Sequence, residues 1–151
     1  TPLWASKGAL MAYTPHVEWR LRVPGQVGGA VRRMMAGEGP SLTHVETRAE
    51  GQRVRLAANA PGKIAVWDLA DGPVTATRGS FLAAFGDHIE IDVALARRAG
   101  AALFGGAGLF LQRISGRGTV LIQSSGDFTE YRLGAGERLV VSSGNLAAFA
   151  D

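Results

Sequence analysis

The 151 residues include no cysteine, which excludes disulfides and thiolate metal sites and leaves the redox compartment open. Lysine appears only at Lys7 and Lys63, so the net charge of +3 rests on arginines interspersed with acids. The nearest approaches to a basic run are the pairs Arg32-Arg33 and Arg97-Arg98. Neither makes the dense cationic stripe of a nucleic-acid footprint. Long apolar runs are also missing. The uncharged stretch Ala99 to Leu111 falls short of the ~20 residues a membrane-spanning helix needs, and glycines interrupt it. The start, Thr1-Pro2-Leu3-Trp4, lacks the layout of a signal peptide. A soluble, cytoplasmic protein is the expectation.

Glycine, by contrast, is abundant at 21 residues and spread along the whole chain, as suits short strands joined by tight turns. In His16 to Val23, Val17, Trp19, Leu21 and Val23 alternate with His16, Glu18, Arg20 and Arg22. Period two predicts a half-buried strand with the first set inward. Leu42 to Glu46 and Gln52 to Ala58 alternate likewise. Asn59-Ala60-Pro61-Gly62 reads as a tight turn, predicting a hairpin of Arg53–Ala58 with Lys63–Leu69. Val27 to Met35 fits a short helix or a strand equally well.

A glycine-led apolar block recurs three times, at Gly8-Ala9-Leu10-Met11-Ala12, Gly79-Ser80-Phe81-Leu82-Ala83 and Gly144-Asn145-Leu146-Ala147-Ala148. The first two each run into an alternating strand, at His16 and at His88. Leu111 to Ile114 then answers Leu42 to Val45. Val120 and Ile122 take the places of Val54 and Leu56, and Phe128 to Leu133 answers Ile64 to Leu69. The order holds over roughly 60 to 70 residues per unit, the mark of a repeat architecture. The chain therefore reads as one all-β domain over 1–151, with unit one at about 7–77, unit two at about 78–142 and the start of a unit three at 143–151. A lone signature cannot bury its inner face. The expectation is that the ends are cut; otherwise a neighbour or cleaved segments supply the missing strands.

Gly8 to Ala12, Gly37-Glu38-Gly39, Gly79 to Ala83, Leu109 to Gln112, Gly116 to Val120 and Gly136 to Val141 together resemble the altered-inheritance-of-mitochondria (AIM24, DUF124) family. Its bacterial members resemble the tryptophan RNA-binding attenuation protein (TRAP) in fold. The resemblance implies internally repeated β-sandwich units of a shortened double-stranded β-helix, normally three per chain, assembled as trimeric rings. It brings no catalytic residues. Ala107 stands where the first unit has Glu38, so that glutamate is no device used in every repeat.

Three His-x-Glu pairs, His16/Glu18, His44/Glu46 and His88/Glu90, could each offer an imidazole and a carboxylate on one face of a strand. A cupin-like metal enzyme is the alternative they raise, but no His-x-His accompanies them, and His and Glu also furnish a solvated face. For single-stranded RNA, outward Arg20, Arg22, Arg53, Arg55 and Arg113, with Arg117 and Lys63 in turns, supply cations. Stacking aromatics are short, because Trp19, Phe110 and Phe128 occupy core positions and Trp67 is ambiguous. Ser115, Ser124 and Ser142 lack a nucleophile motif. Gly105 to Gly108 and Gly116-Arg117-Gly118 lack the Lys-Ser/Thr of a phosphate loop and read as close-packed turns. The small-residue stretch Ala99 to Leu111 fits a buried connector or a contact with another copy or a membrane surface. The reading is a non-catalytic protein with no cofactor, metal or catalytic site, acting by homotrimeric assembly. A protein or membrane surface is its partner class, and nucleic acid is disfavoured.

Overall fold

The computed structural model describes residues 1–25, 41–96 and 109–151. Among these, ten strands follow in order: β1 (Leu3–Ala5), β2 (Leu10–Tyr13), β3 (Val17–Arg22), β4 (Leu42–Thr47), β5 (Val54–Leu56), β6 (Ile64–Asp68), β7 (Val74–Thr77), β8 (Phe81–Ala96), β9 (Leu109–Gln123) and β10 (Ala148–Ala150). The described helical pieces are single 3-10 turns at Leu69–Asp71 and Ser143–Asn145. The molecule is all-β, as period-two patterning predicts. The large sheet runs β10-β7-β9-β8-β1-β4-β3 with β6 also on β9, and β2 pairs with β5 as a separate ribbon.

The long β8–β9 pair is shaped by glycine. Gly86 lies opposite Gly118, and a Cβ on either would come within 2.2 Å of the facing strand's carbonyl oxygen, that of Arg117 or Phe85. Only a residue without a Cβ lets two backbones approach so closely. The register shifts just beyond, between Asp87 and Glu90, where His88 adopts φ 55. This is a bulge, which turns a strand and re-aims its side chains. Before the bulge β9 pairs with β7, from Thr77↔Leu111 to Val74↔Ile114. After it β9 pairs with β6, from Asp68↔Thr119 to Ile64↔Gln123. Val74, Ile91 and Ile114 from one half share a core with Phe81, Val120 and Ile122 from the other.

Alternation splits the interior into two cores. Val120 and Ile122 enter the main core while Leu121 turns to a second one with Ala5, Ala9, Leu56, Leu82 and Ala83. Leu82 and Ala83 share that face because the register shifts between Phe81 and Ala83. The β2–β5 ribbon thus covers the face of the sheet opposite the main core.

Pairings recur along the chain. Leu10↔Leu56, Ala12↔Arg55 and Tyr13↔Val54, with a shift after Leu10, are matched by Phe81↔Ile122, Ala83↔Leu121 and Ala84↔Val120, with a shift after Phe81. Leu3↔Val45 through Ala5↔Thr43 is matched by Val74↔Ile114 through Ala76↔Gln112. Leu3↔Phe85 through Ala5↔Ala83 is matched by Val74↔Ala150 through Ala76↔Ala148.

Several expectations are corrected. The predicted hairpin of Arg53–Ala58 with Lys63–Leu69 does not form: β5 pairs with β2 and β6 with β9. The chain bends at 59–62, but long-range partners supply the hydrogen bonds. Val17, Trp19, Leu21 and Val23 alternate as predicted, yet only Val17 is buried, and Trp19, Leu21 and Val23 stay 47–49% exposed. Among the described residues β3 ends the sheet, and nothing described covers its inner side. Gly116-Arg117-Gly118 is no turn but the middle of β9. Phe128 to Leu133 is not a strand. Val27 to Met35, both Gly-x-Gly turns at 37–39 and 106–108, and Ala99 to Gly108 lie outside the described residues.

Candidate functional site

The most developed polar cluster grows from β4. Trp19↔Val45 and Arg20↔His44 fix the register of β3 on β4, and Trp4↔His44 that of β1. Arg20, His44 and Trp4 therefore share one face. The buried His44 ring lies 4.3 Å from that of Trp4, inclined at 54°, and its Nδ1 lies 3.3 Å from Glu46 Oε1. Burial holds the His44 pKa below its ordinary 6.5; Glu46 opposes this, and Arg22 and Arg20 add to it. At neutral pH the imidazole is therefore uncharged. The His44 side chain is buried beneath the sheet surface.

The three His-x-Glu pairs are not drawn together. Glu18 lies directly opposite Glu46, with Arg20 Nη2 3.8 Å from the Glu18 carboxylate. His16 is exposed and precedes β3. His88 sits at the distant bulge of β8, where its left-handed backbone breaks the two-residue alternation, and Glu90 faces Ser115 across to β9. Among the described residues no three His, Cys, Asp or Glu side chains gather closely enough to hold a metal ion.

The arginines are dispersed as well. Arg113 Nε donates to Asp151, whose other carboxylate oxygen accepts from Thr75 Oγ1 at 2.8 Å. These two donors, Arg113 first, hold the Asp151 carboxyl below its usual range. Lys63 Nζ bonds Asp127 at 2.6 Å. Arg53 and Arg55 are exposed on the ribbon, well separated in sequence and sheet order from Arg20 and Arg22. Trp67 packs against the main core and donates Nε1–H to the Gly72 carbonyl at 3.2 Å. Phe128 packs there too. Of the candidate stacking rings expected in the core, Trp19 is exposed, and Phe110 is partly buried and lines a cleft. Ser115 lies within β9. A cleft of about 610 Å³ is lined by Lys7, Asn59, Arg78 and Gln112 among others. Gln112 Oε1 is buried without a hydrogen-bond partner.

The broadest unsatisfied feature is apolar. Two cross-strand rows span the sheet face beneath the ribbon: Thr119–Phe85–Leu3–Val45–Trp19 and Val66–Leu121–Ala83–Ala5–Thr43–Leu21. The ribbon buries their middle through Ala9 and Leu56. Their ends emerge on either side, with Trp19 and Leu21 on edge strand β3 and Ile64 and Val66 (71% exposed) on edge strand β6. Alternation alone could not show this. The exposure depends on which strands end the sheet.

These features define an all-β antiparallel protein whose described residues assemble no metal cluster and whose open surface is apolar strand edge. The chain belongs to the AIM24 family, described as Mitochondrial biogenesis AIM24, whose match takes in residues 1–151. It is 27% identical over 157 residues to a Streptococcus pyogenes protein, M6_Spy0233, described as uncharacterized; the match covers 98% of this chain and 61% of that one. It also resembles the crystal structure of protein SPYM3_0169 from Streptococcus pyogenes, at 25% identity and a TM-score of 0.63, over 83% of this chain and 56% of the other. The chain thus spans about three-fifths of the length of these relatives. Among the described residues no helix is long and apolar enough to cross a membrane.

Proposed function

We propose that this protein is a non-catalytic repeat protein that acts by assembly, as a homotrimeric ring that presents a binding surface to a partner. The observation that carries the reading is the pair of exposed apolar flanks, Trp19 with Leu21 and Ile64 with Val66, on either side of the ribbon. Large apolar side chains clustered on sheet edges mark contact surfaces, because exposed edges otherwise invite uncontrolled association.

Internal duplication, with units at about 7–77 and 78–142 and a third begun at 143, is part of the same proposal. The recurring registers support it, above all the shift at Leu10/Ala12 repeated at Phe81/Ala83. Independent strand pairs have no physical reason to share a bulge position. A TRAP-like ring of β-sandwich units fits these repeats, since equivalent units pack through equivalent faces.

Light scattering coupled to size exclusion tests the reading. The full chain should elute as a trimer at micromolar concentrations. A monomer throughout that range overturns the proposal.

A further inference from the structure

Two glutamines of β9 are buried, and their side-chain amides fare differently. Gln123 is satisfied at both ends: its Oε1 accepts from the Asn59 N–H at 3.0 Å, and its Nε2 donates to the Gly79 carbonyl at 3.1 Å. Gln112 is 4% exposed, and its Oε1 is shielded from solvent without a hydrogen-bond partner. A buried polar atom left unpaired is rare and carries the full cost of its desolvation. A bound group that brings a donor removes that cost.

Gln112 lines the cleft of about 610 Å³, a volume in the range of small-molecule sites. Two like turns form its rim. Ala9 N–H donates to the Ser6 carbonyl at 3.0 Å around Lys7-Gly8, and Ser80 N–H to the Thr77 carbonyl at 3.1 Å around Arg78-Gly79. Both turns are pinned. Ser6 N–H bonds the Leu82 carbonyl at 2.9 Å, Arg78 N–H bonds the Phe110 carbonyl at 3.1 Å, and Gln123 ties Gly79 to Asn59. A rim held in place this way keeps the ordering cost of binding low. Lys7 is exposed and has no ion-pair partner among the described residues. No described residue lining the cleft is acidic, and Leu42, Val93 and Phe110 give it an apolar wall.

We infer that this cleft binds a small 2-hydroxycarboxylate with an apolar body. The carboxylate meets the Lys7 ammonium at the rim. The hydroxyl donates to Gln112 Oε1, the amide turning about its soft terminal torsion to face the ligand. The apolar body packs on Leu42, Val93 and Phe110. An ammonium in place of the hydroxyl also donates, but the acid-free, basic lining disfavours a second positive charge. The site stands apart from the exposed flanks at Trp19 and Val66 and does not depend on assembly.

Calorimetric titration of the full chain with mandelate, a small probe carrying all three groups, tests the site. Mandelate should bind saturably, and its amide NMR shifts should gather at Gly8, Asn59 and Gly79 rather than at Trp19 or Val66. Phenylacetate lacks the hydroxyl and mandelamide lacks the charge. Each should bind about tenfold more weakly, the effect of one lost hydrogen bond to a buried or charged group. Lys7→Met should erase the advantage of mandelate over mandelamide. Gln112→Leu should erase its advantage over phenylacetate while unfolding no earlier on heating, because an unpaired buried amide has gone. No saturable binding of mandelate up to about 10 mM overturns the site. So does equal affinity for phenylacetate, or an affinity that both variants leave unchanged. If Gln112→Leu fails to fold, Lys7→Met, at an exposed turn, decides alone. Oligomeric state is measured separately, so failure of the site leaves the assembly reading standing, and the reverse.

Discussion

Gly86 and Gly118 pass each other with no room for a side chain on either. Gly118→Val places atoms where the Phe85 carbonyl stands and forces a branched residue into φ +153. Steric conflict and strain of this kind belong to the severe class of substitutions, so a loss above about 3 kcal/mol is expected. Urea unfolding checks it, and a variant within 1 kcal/mol of wild type (about the ordinary loss for a substitution) would show that the close approach is dispensable. The sequence offers Gly116-Arg117-Gly118 as a motif but not its role, because a turn glycine and a strand-crossing glycine look alike until the facing strand is known. His44 presents the converse case. Its folded pKa is depressed by burial, with Arg22 and Arg20 adding and Glu46 opposing, so the unfolded chain takes up the proton first as pH falls. Stability is therefore full above the unfolded value of 6.5 and is lost as pH falls through the lower folded value. His44→Gln should flatten that part of the stability-against-pH curve. An unchanged slope would assign the effect to other groups.

At the scale of elements, each strand's period was legible but its partner was not. β3 alternates as predicted, yet its inner side is half-exposed because the strand ends the sheet. β5 and β6 flank a turn and still pair elsewhere, since local spacing says only that two strands could meet. The ribbon depends on the second core. Leu82 is wholly buried there with Ala5, Ala9 and Ala83, and Leu3, Leu56 and Leu121 pack against the cluster. Leu82→Ala should cost about 3–5 kcal/mol, in the upper part of the range for such truncations. It should also loosen the ribbon before the main core, seen as early amide exchange in β2 and β5 relative to β7. Simultaneous exchange would indicate that the two cores unfold as one.

For the molecule as a whole, the apolar flanks predict a specific sensitivity. Trp19→Lys and Val66→Lys each place a charge on a face that is already solvent-exposed in the single chain. Each should leave the monomer's unfolding within ±0.5 kcal/mol, as for surface changes, yet shift the assembly toward smaller species in sedimentation velocity. Undiminished assembly in the double variant would remove the flanks from the contact.

The sequence by itself determined the strand class, the sites of punctuation and the family, all of which follow from local period and from order along the chain. It also located every His-x-Glu pair. It could not tell whether they converge, because convergence depends on register and bulges, and the bulge at His88 sends the third pair away from the other two. Only the tertiary structure decided which strands lie at the edges, where glycines serve as crossings rather than turns, and which apolar residues stay outside. Those outcomes depend on pairings between segments far apart in the chain, whose hydrogen bonds are made by backbone groups common to every residue.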